Sequence, residues 1–105
     1  MRQVIMLQEG RYGKRHWFAS KEDADEFYAE NFLNGGKALE EKVFELQDNQ
    51  SMFAVNIGEP WSCPTDFNEM CVAASSYAQA EAEGREYIRA WNLTGEQVLR
   101  VRKVI

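Results

Sequence analysis

Residues 58–71, GEPWSCPTDFNEMC, decide how the fold of this chain is interpreted. The stretch contains both prolines, both cysteines and one of the three tryptophans. Glycine and proline interrupt helices and strands, so the stretch predicts a connection between regular elements. A similar series of elements lies on either side of it. We therefore interpret it as the point where a small duplicated fold changes course.

The length and composition indicate one globular domain spanning residues 1–105. Apolar residues make up 45% of the 105 and charged residues 28%, which is typical of a soluble protein. The longest apolar run near the N-terminus is Val4–Leu7, shorter than the core of a signal peptide. No run approaches the ~20 residues of a membrane span. We expect a cytoplasmic protein that does not enter a membrane.

Each half of the chain predicts strand, strand, helix and strand, in pseudo-repeats of about 1–48 and 50–105. In the first half, Ser20 is the expected helix cap and Asn34-Gly35-Gly36 the expected stop. In the second half, Ser76 is the expected cap, with Gln79 at the capping-box position. The predicted strands are 4–8, 15–19, 42–46, 52–57, 69–74 and 97–105.

Two segments leave an alternative open. The charged residues 37–41 could form a helical turn before the third strand. Residues 65–92 could form one long helix capped by Thr65, because Phe67, Met70 and Cys71 also fit a helical stripe. The preferred interpretation of 69–74 is a strand.

Together these elements predict an α+β fold with a mostly antiparallel sheet and two helices packed on one face. Either a closed monomer or a homodimer would protect the sheet edges. In the last strand we expect Val98 to share a side with Arg100 and Arg102. The predicted core consists of Trp17, Phe27, Phe32, Phe53, Val55, Ile88, Trp91, Leu99 and Val101.

The net charge of −5 is unevenly distributed. Residues 21–48 contain nine acids and three lysines, whereas the first 20 residues and the last nine are basic. An acidic helix face can attract a basic partner, and exposed aromatic residues can anchor it. The predicted partner-binding residues are Asp23, Asp25, Glu26, Glu30, Trp61 and Phe67.

A second set of residues predicts nucleic-acid binding as the alternative. The turn at residues 11–17 interleaves cations with aromatic rings, which can hold phosphates and stack on bases. The last strand adds further cations. The residues of this alternative are Arg11, Tyr12, Lys14, Arg15, His16, Arg100 and Arg102.

No catalytic or metal-binding motif is visible. His16 is the only histidine and has no second ligand at a recognisable spacing. No basic group beside Cys63 would activate its thiol, and the glycines do not form a phosphate loop. We expect Cys63 and Cys71 to be reduced thiols; a disulfide between them is the alternative for an exported chain.

We therefore predict a non-catalytic protein-binding domain with no cofactor and no metal. Its profile is similar to that of small acidic inhibitors and accessory proteins, including phage-encoded proteins that act on host nucleic-acid machinery. The expected partner is another protein with a basic surface, and nucleic acid is the second choice.

Overall fold

The computed structural model describes residues 1–10, 13–31, 39–61 and 69–105. The chain divides into two compact units, Met1–Asp48 together with Ile105, and Asn49–Val104. The first unit contains β1 Arg2–Glu9, β2 Arg15–Phe18, α1 Lys21–Asn31 and β3 Leu39–Leu46. The second contains β4 Ser51–Gly58, β5 Glu69–Ala74, α2 Tyr77–Ala90 and β6 Gln97–Lys103. The predicted α+β class and the repeated strand, strand, helix, strand order are confirmed.

The strands pair antiparallel as predicted, in two three-stranded sheets, one in each unit, where the sequence predicted one sheet. Their strand orders are β2-β1-β3 and β5-β4-β6, so the first strand of each unit is the central one. Val4–Leu7 of β1 and Met52–Gly58 of β4 are buried throughout. A strand buried on both faces needs a continuous apolar run rather than an alternating one.

The strand-to-helix corners are built alike in both units. The Ser20 hydroxyl accepts a hydrogen bond from the Asp23 backbone N–H at 3.2 Å, and the Ser76 hydroxyl accepts one from Gln79 N–H at 3.1 Å. Both predicted N-caps are therefore confirmed. Four residues after each cap stands a buried alanine, Ala24 in α1 and Ala80 in α2.

Each helix packs on one face of its own sheet. In the first unit Ile5, Leu7 and Ala24 form the buried cluster, with Phe18 and Phe27 packed against it. In the second unit the central strand contributes half of the buried core residues. That core contains Phe53, Val55, Ile57, Val72, Ala74 and Ala80, with Met70, Ile88, Val98 and Val101 packed against it.

Several predicted core residues lie elsewhere. Trp91 is 68% exposed, because it is the C-cap residue of α2 and stands beyond the last helical turn. Trp17 is half-buried and packs against Phe44 at a ring distance of 5.6 Å. Leu99 is half-buried at an irregularity of β6, and Phe32 lies outside the described residues.

The irregularity in β6 corrects the predicted alternation of side chains. Asn56 pairs with Arg100, whereas the next residue of β4, Ile57, pairs with Val98. Leu99 is therefore an extra residue in the strand, a β-bulge. The bulge turns Val98 to the side of Val101 and the core, so its predicted grouping with Arg100 and Arg102 is wrong.

Two open alternatives are also decided. Residues 39–41 belong to β3, where Leu39 pairs with Glu9, so a helical turn over these three residues is excluded, and residues 37 and 38 lie outside the described residues. Residues 69–74 form β5, which pairs with β4 from Asn56↔Glu69 to Ser51↔Ala74, so the long helix from residue 65 is wrong. Neither described helix is long and apolar enough to cross a membrane.

Candidate functional site

Three carboxylates form an open edge along α1. Asp23, Glu26 and Glu30 follow one another at steps of three and four residues, which places them on the same side of a helix. All three are exposed, and none forms an ion pair with a described residue. We call these three residues the acidic edge.

The C-terminal end of this edge is locally unfavourable. Glu30 lies in the last turn of α1, which contains no basic residue. The carbonyl groups at a helix C-terminus carry partial negative charge and repel a carboxylate there. Helix stability therefore does not explain why Glu30 is acidic.

Asp25, the fourth predicted carboxylate of α1, has a structural partner. Its carboxylate lies 2.9 Å from Lys21 Nζ, which also contacts Glu41 of β3 at 2.7 Å. Hydrogen bonds to Glu41 and then to Asp25 raise the pKa of Lys21 above its ordinary 10.5. Lys21 thus connects the helix to the sheet, and Asp25 belongs to that connection.

The predicted aromatic anchors fall outside the first unit. Trp61 follows β4 in the second unit and is 78% exposed, as expected for an anchor. Phe67 lies outside the described residues. The exposed carboxylates and the exposed tryptophan are thus observed separately, and their joint use stays a prediction.

The basic turn of the nucleic-acid alternative is only partly described. Arg11 and Tyr12 lie outside the described residues, and Lys14 is exposed. Arg15 donates a hydrogen bond to Gln8 at 3.3 Å. His16 Nε2 lies 2.7 Å from a Glu9 carboxylate oxygen, and its ring packs on Phe27.

The cations of β6 also interact within their own sheet. Arg102 donates to both carboxylate oxygens of Glu69, at 3.0 and 2.9 Å, and the Glu69 side chain is only 1% exposed. Arg100 donates to buried Asn56 at 3.3 Å. A guanidinium that neutralises a buried carboxylate has less charge to offer a phosphate.

Two aromatic residues at the end of α2 form a surface that the sequence did not predict. Tyr87 and Trp91 are 40% and 68% exposed, with ring centroids 6.0 Å apart. The sequence pattern placed Trp91 in the predicted core. Trp91 is the C-cap of the helix, and the next residue, Asn92, adopts a left-handed conformation, φ 53°, while Leu93 N–H donates to Ile88 C=O. This C-terminal cap leaves Trp91 beyond the packed face, and Asn92 was the signal for it.

An open groove of about 340 Å³ lies between α2 and β6. Ile88 and Val98 supply its apolar surface, and the ion pair between Glu81 and Arg85 lines it together with Glu96 and Gln97.

Comparison with protein-family models, with curated proteins and with solved structures gives no match to this chain. Its function must therefore be inferred from its own side chains.

Proposed function

We propose that this chain is a non-catalytic protein-binding domain that docks on a basic partner protein through the acidic edge of α1. By binding, the chain would inhibit or assist the activity of that partner. The observation that supports the proposal most directly is the exposure of Asp23, Glu26 and Glu30 without ion pairs to described residues.

The arrangement has an energetic cost that binding would offset. Like charges three or four residues apart on a helix repel one another by a few tenths of a kcal/mol, about 0.2–0.5 for each pair. Glu30 adds an unfavourable interaction with the C-terminal end of the helix. A basic partner would remove both repulsions when it binds, and the same charges would attract it before contact.

The proposed role of Trp61 is to anchor the partner after encounter. A large exposed aromatic side chain is the type of residue that contributes most to binding when a pocket covers it. Its 78% exposure supports this role. Charge would then set mainly the rate of association and Trp61 mainly the rate of dissociation.

Nucleic-acid binding ranks below protein binding in this proposal. His16 and Arg102, both members of the predicted basic surface, contact carboxylates of their own sheets. Such contacts reduce the positive potential available to phosphates.

Site-specific photo-crosslinking tests the proposal in the native host. Ala29 is an exposed residue of α1 beside the acidic edge, and Ala82 is an exposed alanine of α2. A photoreactive phenylalanine analogue at position 29 should give a crosslink to a basic protein, and the same group at position 82 should not. Equal crosslinks from both positions, or crosslinks to acidic proteins alone, would contradict the proposed surface.

A further inference from the structure

One flank of α2 places an acid and two aromatic rings in a row. Glu83, Tyr87 and Trp91 are separated by steps of four residues, so they follow one another along the same side of the helix. All three are exposed. We call them the aromatic ridge.

The rings of the ridge are exposed because of how the helix ends. Trp91 is the C-cap residue, and its backbone N–H donates to Tyr87 C=O at 3.0 Å. The cap at Asn92 then turns the chain away towards β6. The ring of Trp91 is in contact with the ring of Tyr87, while most of its surface remains open to a partner.

The electrostatics of the ridge favour a cation. Aromatic faces attract cations, and tryptophan does so best. The C-terminal end of α2 adds partial negative charge beside Trp91. Glu83 is exposed, forms no ion pair with a described residue, and supplies a full negative charge one turn before Tyr87.

The cations of α2 do not occupy this flank. Arg85 is paired with Glu81 and lines the groove towards β6, and Arg89 is paired with Glu86. At about 100° for each residue, both arginines point away from the ridge. The negative charge and the aromatic faces therefore remain available to a cation from another molecule.

We infer that the aromatic ridge binds an exposed arginine side chain of a basic partner protein. Arginine fits better than lysine, because its planar guanidinium can stack on an aromatic ring of the ridge while it donates hydrogen bonds to Glu83, one turn before Tyr87. The inference deepens the proposed function and rests on it for the basic character of the partner. The chemistry of the ridge can be tested without that partner.

The experiment is a titration of the ¹⁵N-labelled full chain with the peptide Gly-Arg-Gly-Arg-Gly, followed by NMR. The matched peptide contains citrulline, which has nearly the shape of arginine and no charge. The Trp91 indole N–H resonance is assigned by its loss in Trp91→Leu, and that of Trp61 by its loss in Trp61→Leu. Trp61 is the internal control, because it is at least as open to solvent as Trp91 but has no ring contact with a described residue. Its proposed role as an anchor needs a pocket of the partner, which the short peptide lacks.

The arginine peptide should shift the Trp91 indole resonance and the Tyr87 amide resonance, and the citrulline peptide should bind about fivefold more weakly. Glu83→Gln should weaken binding of the arginine peptide and reduce its dependence on salt. Equal shifts with both peptides, equal shifts at Trp61, or no shift at Trp91 would overturn the inference.

Replacement of the acidic edge separates this inference from the proposed function. The variant Asp23→Asn, Glu26→Gln, Glu30→Gln should leave the peptide titration at Trp91 unchanged, because the ridge belongs to a different helix. A ridge that binds arginine only while the acidic edge is intact would contradict a separate site on α2.

Discussion

Replacement of Gly84 by alanine measures how closely α2 lies on its sheet. Gly84 is buried in the middle of the helix. A Cβ atom at this position would lie 2.8 Å from Val55 Cγ1 and 3.0 Å from Val98 Cγ2. Carbon atoms in ordinary contact are about 3.5–4.0 Å apart, so at least one neighbour would have to move.

Two effects of opposite sign decide the outcome of Gly84→Ala. Alanine in a helix interior is favoured over glycine by about 0.8–1.0 kcal/mol. An added carbon in a well-packed core costs about 1–3 kcal/mol. Val55 is completely buried and β-branched, so its side chain has no room and little freedom to turn away. We therefore expect the upper part of that cost and a net loss of about 1–2 kcal/mol in the free energy of unfolding.

Urea denaturation followed by circular dichroism would give this value from the shift in midpoint at constant slope. Ala82→Gly, at an exposed position of the same helix, measures the propensity difference without the contact. The pair Gly84→Ala and Val55→Ala should show a favourable coupling of about 1 kcal/mol, because the smaller residue makes room for the new methyl group. If Gly84→Ala stabilised the protein by as much as Ala82→Gly destabilises it, the close approach of α2 would be refuted.

Three further outcomes test other parts of the structure. Arg102→Met should lower the free energy of unfolding by about 3 kcal/mol, because it removes the bidentate partner of the buried Glu69 carboxylate. The matched change Arg100→Met should cost less than about 1 kcal/mol in the same urea titration. The stabilising contribution of Lys21 should be complete below pH 10.5 and disappear as the pH rises through its raised pKa. Denaturation at increasing alkaline pH should therefore show a loss of stability in the unmodified chain that is absent from Lys21→Gln. Trp91→Leu should change the free energy of unfolding by no more than about 0.5 kcal/mol, while Phe53→Ala should cost about 3–5 kcal/mol. A large loss of stability for Trp91→Leu would show that Trp91 is part of the core.

The order of the elements could be predicted because it depends on short-range patterns. Val4–Leu7 forms a continuous apolar run, which is required of a central strand buried on both faces. Ser20 and Ser76 carry their capping signal in their own side chains. Such features need no knowledge of the rest of the fold.

The details that could not be predicted depend on long-range placement. The bulge at Leu99 follows from the register between β4 and β6, and the alternation of apolar and charged residues in β6 does not reveal it. The contact of Lys21 with Glu41 requires β3 to lie beside α1, which only the folded unit determines. Trp91 was assigned to the core because its helical spacing is correct, although the helix ends at that residue.

Only some features of the candidate site could be predicted from the sequence. Exposure of the α1 carboxylates and of Trp61 agrees with the sequence-based expectation. The spacing of four residues between Lys21 and Asp25 is a sequence signal for the ion pair that sets Asp25 apart from the other three carboxylates. The exposed pair Tyr87 and Trp91 required the structure.

The most direct test of the proposed function is the rate of association with the protein that crosslinks at position 29. The acidic-edge variant Asp23→Asn, Glu26→Gln, Glu30→Gln is compared with the control variant Glu40→Gln, Glu45→Gln, Glu59→Gln. The control removes three exposed carboxylates elsewhere and changes the net charge equally.

At low salt we expect the acidic-edge variant to associate about tenfold more slowly than the unmodified chain. The association rate of the control variant should stay within about twofold of that of the unmodified chain. The difference in rate between the acidic-edge variant and the unmodified chain should shrink as added salt screens the charges. Equal slowing by both variants, or an unchanged rate for the acidic-edge variant, would contradict docking through α1.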